Sequence, residues 1–318
     1  MKVFSDFPSF RSVHEGCVAT IGKYDGMHIG HQHVLNTLCR TADARGLPAV
    51  VIVSEPHPEE FFSSANAAPR LTPFQEKVDF LLSYGVSAVF RMTFDNALCN
   101  QAPKAFIQEF LLEGLGVKAL IVGDDFRFGK NRKGDFRLLQ EKGMELGFEV
   151  LREIPFKYAG HRVSSTLVRN CLEQGDCEQV RSLLGRYYSV SGRVESGKKL
   201  GRELGIPTAN IDLEGRRLPL HGIFSVLVEF EGKTLQGIAS IGFNPTVENS
   251  DVAKLEVNIF DFDKNIYDER LVVSFIRKIR DEIKFPDLES MKHQMALDIE
   301  QARQSLQGLQ TASVFRDG

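Results

Sequence analysis

Two periodicities alternate between residues 16 and 184. Short runs at 18–21, 50–53, 88–90, 119–122 and 149–151 are rich in apolar, β-branched residues, the pattern of strands buried on both faces. The segments between and after them, 31–45, 74–84, 104–115, 136–146 and 166–173, show the longer period of helices. Alternation of this kind predicts a parallel sheet with helices on both faces and right-handed crossovers. Ligands of such sheets sit beyond the carboxyl ends of the strands.

The texture changes at Leu184-Gly185-Arg186-Tyr187. Period-two segments follow at 188–194, 224–230, 235–241, 255–260 and 271–275, joined by turns containing Gly, Pro and Asn, and they predict a small antiparallel barrel. From Asp287 to Gln307, the residues Leu288, Met291, Met295, Ile299, Ala302 and Leu306 step by three or four and line one face of a terminal helix that packs on the barrel. The expected domains are therefore 1–185, of α/β class, and 186–318, all-β with a C-terminal helix.

The 318 residues are 42% hydrophobic and 25% charged, ordinary for a globular protein long enough to hold two cores. A net charge of −3 gives no global field for gripping nucleic acid, so a polyanionic ligand must meet a local positive site. No run approaches the roughly 20 apolar residues that span a bilayer. The start, Met1-Lys2-Val3-Phe4-Ser5-Asp6, has no signal-peptide pattern, so a cytoplasmic protein without membrane partners is expected. The five cysteines are scattered and read as free thiols.

The stretch Ile21-Gly22-Lys23-Tyr24-Asp25-Gly26-Met27-His28-Ile29-Gly30-His31 lies where a strand passes through a tight loop into a helix. His28 and His31 fall beside unsatisfied backbone N–H groups and the positive end of the helix dipole, a site suited to a nucleotide triphosphate. Gly30 has no Cβ to hold a ligand off the backbone. Gly22, Tyr24, Asp25 and Gly26 complete this candidate phosphate loop. After the strand at 119–122, Gly123-Asp124-Asp125-Phe126-Arg127-Phe128-Gly129 places acidic, aromatic and basic groups at the same sheet edge, where Asp125, Phe126 and Phe128 could hold a planar ring or a ribose. His57, in Glu55-Pro56-His57-Pro58, follows a strand at that edge, although a rigid turn explains the segment equally well. Finally, Ser164-Ser165-Thr166-Leu167-Val168-Arg169 opens a helix. Its hydroxyls suit an N-cap, and Arg169, one turn on, lets hydroxyls, backbone N–H groups and a guanidinium converge on a phosphate.

These three motifs, in this order and at these separations, resemble the adenylyltransferase half of the bacterial bifunctional riboflavin kinase/FAD synthetase family. In the second half, Gly192 to Gly205 is rich in Gly, Lys and Arg, and Gly197, Lys198 and Gly201 suit a loop that cradles phosphates through its N–H groups. Thr208 and Asn210 lie two residues apart on one face of an extended segment and offer the oxygen ligands that Mg²⁺ favours. Glu256 shares a face with Asn258 and Phe260, and the pattern alone leaves open whether that face is merely solvated. Pro207-Thr208-Ala209-Asn210, Gly242-Phe243-Asn244-Pro245-Thr246, Leu255-Glu256-Val257 and 277–285 resemble the riboflavin kinase module of the same family, so the resemblance covers residues 12–306.

The resemblance implies a Rossmann-like nucleotidyltransferase domain followed by a Greek-key-like barrel. It implies that ATP phosphorylates riboflavin to FMN, leaving ADP, with Glu256 as general base and Thr208 and Asn210 holding Mg²⁺. A second ATP would adenylylate FMN to FAD and pyrophosphate, with His28 and His31 as phosphate-favoured cations and Ser165, Thr166 and Arg169 gripping the departing phosphates. Four departures from the family pattern, at Lys23-Tyr24, Ser54, Phe243-Asn244 and Tyr267-Asp268, miss His28, His31, Thr208, Asn210 and Glu256. Two rivals stand beside this reading: a nucleotidyltransferase for another phosphorylated substrate with an accessory barrel, and a non-enzymatic flavin-binding regulator. An aminoacyl-tRNA synthetase would need a Lys-Met-Ser-Lys-Ser-like segment, which is missing. A monomer with transient assembly is expected.

Overall fold

The computed structural model describes residues 2–64, 66–196, 206–243 and 253–309. The chain divides into two units, Met1–Ala68 with Thr72–Val163, and Pro69–Leu71 with Ser164–Gly318.

In the first unit six strands, β1 (Val3–Phe4), β2 (Cys17–Gly22), β3 (Ala49–Glu55), β4 (Ala88–Thr93), β5 (Val117–Gly123) and β6 (Glu149–Glu153), run parallel in the order β1-β4-β3-β2-β5-β6. The connecting helices are α1 (Phe7–Arg11), α2 (Ile29–Arg45), α3 (Pro58–Ser63), α4 (Phe74–Ser83), α5 (Asn96–Asn100), α6 and α7 (Phe136–Leu146). The α6 segment starts at Pro103–Ala105 and continues as π-helix over Phe106–Gly114, where an ordinary helical period was expected. Alternate residues of one strand enter different cores: Ala19, Ile52 and Leu120 pack with Ile107 and Leu111, whereas Val18, Val51 and Ile121 pack with Leu35, Leu38 and Leu81. That is the parallel sheet covered on both faces that the apolar runs predict. The edge strand β1 is too short to show a period, and it pairs with β4 at Val3↔Val89 and Phe4↔Phe90. A two-stranded hairpin, β7 (Lys157–Tyr158) and β8 (His161–Arg162), ends the unit.

The second unit opens with α8 (Ser165–Gln174) and α9 (Cys177–Leu184). It continues as β9 (Tyr188–Glu195), β10 (Ala209–Asp212), β11 (Gly222–Phe230), β12 (Lys233–Phe243), β13 (Ala253–Ile259) and β14 (Arg270–Arg280). These antiparallel strands close a barrel in the order β10-β13-β12-β11-β14-β9, and α10 (Leu288–Leu306) follows. The barrel and the terminal helix are as expected, and β10 is the one barrel strand that the five period-two segments did not mark. The helix face is shifted from the expected one: Ala302 and Leu306 are buried with Leu227 and Phe260, but Leu288 is exposed and Asp298 is buried. Arg280 explains the buried carboxylate, donating from Nε at 3.0 Å to both Asp298 oxygens and from Nη2 at 2.6 Å, while Gln294 Nε2 adds a bond at 2.9 Å. A bidentate guanidinium thus takes the place of an apolar contact.

Arg280→Met leaves Asp298 buried without its guanidinium and is expected to cost about 3 kcal/mol. A urea midpoint lowered at unchanged slope checks this, and an unchanged midpoint contradicts it.

Candidate active sites

The strand order reverses at β2, which has β3 on one side and β5 on the other. The loops that leave the carboxyl ends of β2 and β5 therefore diverge and open a crevice, the switch point of an open parallel sheet. The two loops singled out in the sequence are the ones that line it.

The loop after β2 holds Tyr24 and Met27 at positive φ, 49° and 48°, with Gly26 at 82° between them. Neither side chain favours that region, and burial fixes both. The Tyr24 hydroxyl lies 2.8 Å from Thr20 Oγ1, and Asp25, also buried, accepts the Thr72 N–H at 3.1 Å. Helix α2 then begins on an imidazole cap: His28 Nδ1 accepts the His31 N–H at 3.2 Å, which requires that nitrogen to be unprotonated. The His31 ring stacks on His28 at 3.6 Å and 14°, with the Tyr24 ring 4.9 Å away. Gly30 permits the arrangement, since a Cβ there would stand 3.1 Å from His28 Nδ1. The Nδ1 of His31 is buried and has no hydrogen-bond partner among the described residues. Burial, and then the charges of His28 and Lys77, hold His31 well below the usual imidazole range. Without phosphate, the cationic form of His31 is therefore disfavoured.

Two ionisable groups of this edge were not legible as site residues. Lys77, on α4, is completely buried, and its Nζ lies 3.2 Å from Nε2 of His57. His57 caps α3 and its backbone N–H donates to Glu60 Oε2 at 3.0 Å. The available signal was position: Lys77 precedes the core residue Leu81 by four and so shares its face. Glu153 ends β6, with burial raising its carboxyl and His33 Nε2 at 3.4 Å partly offsetting that. Lys23, one of the departures, is exposed and pairs with Glu59 at 2.5 Å.

In the loop after β5, Asp125 is exposed and pairs with Arg162 Nη2 at 2.7 Å. Phe126 is half-buried and stacks on Phe128 at 5.6 Å, and Phe128 belongs to the core against Phe106. Asp125 and part of Phe126 thus reach solvent, while Phe128 supports them from below. Ser164, Ser165, Thr166 and Arg169 belong to the second unit. Ser164 Oγ caps α8 by accepting the Leu167 N–H at 3.2 Å, and Arg169 Nε donates to the Pro69 carbonyl at 2.7 Å.

In the barrel, register gathers the candidates. Asn210 on β10 stands directly opposite Glu256 on β13, and Ser240 on β12 stands opposite Glu256 on its other side. Directly opposed side chains share a face, roughly 5 Å apart at Cβ. Asn258 Nδ2 donates to the Pro207 carbonyl at 2.7 Å and so anchors the segment carrying Thr208. Glu282 lies against Gly242, where a Cβ would come within 2.4 Å of its Oε1. Burial raises the Glu282 carboxyl, opposed by His221, Arg280 and a Ser240 hydrogen bond, with the Glu256 charge adding to the rise. Among the described residues no group of three His, Cys, Asp or Glu could hold a metal. The hydroxyl, amide and carboxylate oxygens of Thr208, Asn210 and Glu256 do fit a hard cation shared with substrate phosphates. Gly197, Lys198, Gly201 and Asn244 lie outside the described residues.

Two family profiles match the chain, FAD synthetase over residues 10–167 and riboflavin kinase over 184–306. A bifunctional riboflavin kinase/FMN adenylyltransferase from Pseudomonas fluorescens is 42% identical over 303 residues, covering 95% of this chain and 97% of its own. A protein of the same description from Haemophilus influenzae is 39% identical over 304 residues, covering 95% and 98%. A solved structure described as a macrolide-efflux protein from Streptococcus pneumoniae superposes with a TM-score of 0.81 at 26% identity, covering 95% of this chain and 98% of its own.

Because the folded protein holds His31 below its unfolded value of about 6.5, the unfolded chain binds the proton first. Stability contributed by this group is present above that value and is lost as pH falls through it. His31→Gln is therefore expected to lose less stability than wild type between pH 7.5 and pH 5 in denaturant titrations. Equal losses contradict the assigned electrostatics.

Proposed function

We propose a division of labour for a chain that belongs to the bifunctional riboflavin kinase/FAD synthetase family. The protein is an enzyme that phosphorylates riboflavin to FMN and adenylylates FMN to FAD, with ATP as co-substrate of both steps. Residues 1–185 serve the second step and residues 186–318 the first. The observation that carries this assignment is the stacked His28–His31 pair at the switch crevice, with the buried Nδ1 of His31 unpartnered among the described residues.

For phosphorylation, Glu256 accepts the proton of the ribityl 5′-hydroxyl as that oxygen attacks the γ-phosphorus and ADP departs. Thr208 and Asn210 hold Mg²⁺, which when bound offsets phosphate charge, and Gly197, Lys198 and Gly201 cradle the phosphates. Asn210, opposite Glu256, keeps the carboxylate and the phosphate end of the site in register. Transfer of this kind relies on positioning and charge stabilisation.

For adenylyl transfer, an oxygen of the FMN phosphate attacks the α-phosphorus, the bond to the bridging oxygen breaks, and pyrophosphate leaves. No strong base is needed. The need is for donors aimed at the developing charge. His28, whose Nδ1 is engaged in the cap, contacts the polyphosphate. His31, neutral in the free site, takes up a proton as the polyphosphate arrives. Gly22, Tyr24, Asp25, Gly26 and Gly30 shape the loop, with His57 behind it, and Asp125 and Phe126, backed by Phe128, contact nucleotide or flavin. Ser165, Thr166 and Arg169, at the start of α8, bind nucleotide phosphate. The enzyme works as a monomer with transient assembly. Among the described residues no helix is long and apolar enough to cross a membrane, and we place the enzyme in the cytoplasm.

His31→Ala is expected to reduce FAD formation from FMN by about 100-fold or more while riboflavin phosphorylation persists. Equal loss of both in a folded variant refutes the division. Glu256→Ala should do the reverse, reducing FMN formation by about 100-fold or more. Undiminished FMN production removes it as the base. Chelation of divalent cations should stop riboflavin phosphorylation reversibly, and activity that survives EDTA rules out the Mg²⁺ assignment.

A further inference from the structure

We propose that Glu282 is a substrate-binding residue of riboflavin phosphorylation: its carboxylate, seated on Gly242 beside Ser240, accepts from the secondary hydroxyls of the ribityl chain while the terminal hydroxyl meets Glu256. The inference rests on the reading of Glu256 as the base of that step.

The backbone brings Glu282 to this place from two strands away. β14 pairs with β11 and β11 with β12, so the chain that leaves β14 at Arg280 crosses β11 to reach β12. A glycine on each strand permits the crossing. Gly222 on β11, at φ 109°, would place a Cβ 2.5 Å from the Arg280 carbonyl oxygen and 3.4 Å from Asp281 Cα, and a Cβ on Gly242 of β12 would overlap both carboxylate oxygens of Glu282. Arg280 locks the crossing from its far side. While Nε and Nη2 hold Asp298 of α10, Nη1 donates to the Asp281 carbonyl at 2.8 Å, which fixes the peptide group that joins Asp281 to Glu282.

Register then determines what the carboxylate faces. Ser240 and Gly242 lie two residues apart on β12 and share the face opposite to the buried Ala239 and Ile241. Ser240 stands directly across from Glu256, which makes Gly242 its diagonal neighbour, roughly 7–8 Å away. Asn210 occupies the other side of Glu256, where the phosphate end of the site lies, so the flavin end departs toward β12. A five-carbon polyol whose terminal oxygen meets Glu256 then carries its remaining hydroxyls past Glu282. Those hydroxyls are donors that need acceptors. An ionised carboxylate offers about four acceptor positions, and the Ser240 hydroxyl takes one of them. The neighbouring cations are committed elsewhere: Lys278 pairs with Asp281 at 2.6 Å, His221 Nε2 lies 3.5 Å from the same carboxylate, and Arg280 Nη2 holds Asp298. Glu282 is also exposed, so a ligand can reach it. A flavin with a plain alkyl chain has no donors to offer there, and Glu282 thus selects the polyol.

The test compares full-length wild type, Glu282→Ala and Gly242→Ala, with phosphorylation of riboflavin measured as FMN plus FAD formed. A flavin whose N10 chain is 5-hydroxypentyl, which keeps the terminal hydroxyl and lacks the secondary ones, serves as competitor. For Glu282→Ala the KM for riboflavin is expected to rise about tenfold, while kcat and the KM for ATP stay within about twofold of wild type. The inhibition constant of the hydroxypentyl flavin is expected to be unchanged. Gly242→Ala displaces the carboxylate without deleting it and should also raise the riboflavin KM, whereas adding it to Glu282→Ala should change nothing further. A wild-type riboflavin KM in either single variant overturns the proposal. Equal weakening of riboflavin and the hydroxypentyl flavin, or a loss confined to kcat, overturns it as well, since either reports a structural role. The base assignment is read separately: wild-type FMN formation by Glu256→Ala refutes that reading, while the contrast between the two flavins reads Glu282 itself.

Discussion

A parallel strand can be followed by another only through a crossover, and here successive crossovers from β2 run to one side while β5 and β6 lie on the other. The reversal leaves a gap at the carboxyl ends of β2 and β5 that the sheet cannot fill. Everything distinctive about the first unit is placed by that gap. The β2 loop must turn within it, which it does through two strained non-glycine residues and Gly26, and α2 must start in it. Because α2 starts on an imidazole, the cap that a serine or aspartate would ordinarily provide is supplied by a ring nitrogen.

The electrostatics follow from the same placement. With a net charge of −3 the protein has no global attraction for polyanions, and on the proposed reading the attraction is local. Two stacked imidazoles share a small buried volume, and burial first of all leaves a His31 that prefers to be neutral. On the proposed reading, a polyphosphate reverses that preference. On that reading the site is unfavourable until its ligand is present, the condition under which binding energy can be directed to the transferring group rather than to the resting protein.

Much of this was legible in the sequence because it was carried by period and by motif. The doubly apolar runs located β2, β3 and β5, the period-two segments located the barrel, and the two loops at the switch point stood out by their glycines and ring-bearing residues. What was not legible depended on contacts between distant segments. Lys77 looks like any lysine on an amphipathic helix until His57 is found 3.2 Å away. Asp298 breaks an apolar stripe, and only the Arg280 fork, 18 residues earlier, shows why. Val3–Phe4 pairs as a strand because β4 offers an edge, not because two residues display a pattern. The pairing of Asn210 with Glu256 is a matter of register, which no single strand records.

The barrel repeats the logic with different means. Here three adjacent strands bring an amide, a carboxylate and a hydroxyl to one face. The central claim is that one chain carries two chemically separate phosphorus transfers, one at the γ- and one at the α-position of ATP. Incubating the full-length protein with riboflavin, Mg²⁺ and ATP labelled at a single phosphorus, then resolving the flavins by chromatography, tests it most directly. The account predicts that γ-labelled ATP labels both FMN and FAD, whereas α-labelled ATP labels FAD and leaves FMN unlabelled. FMN carrying the α-label, or FAD without it, would contradict the account.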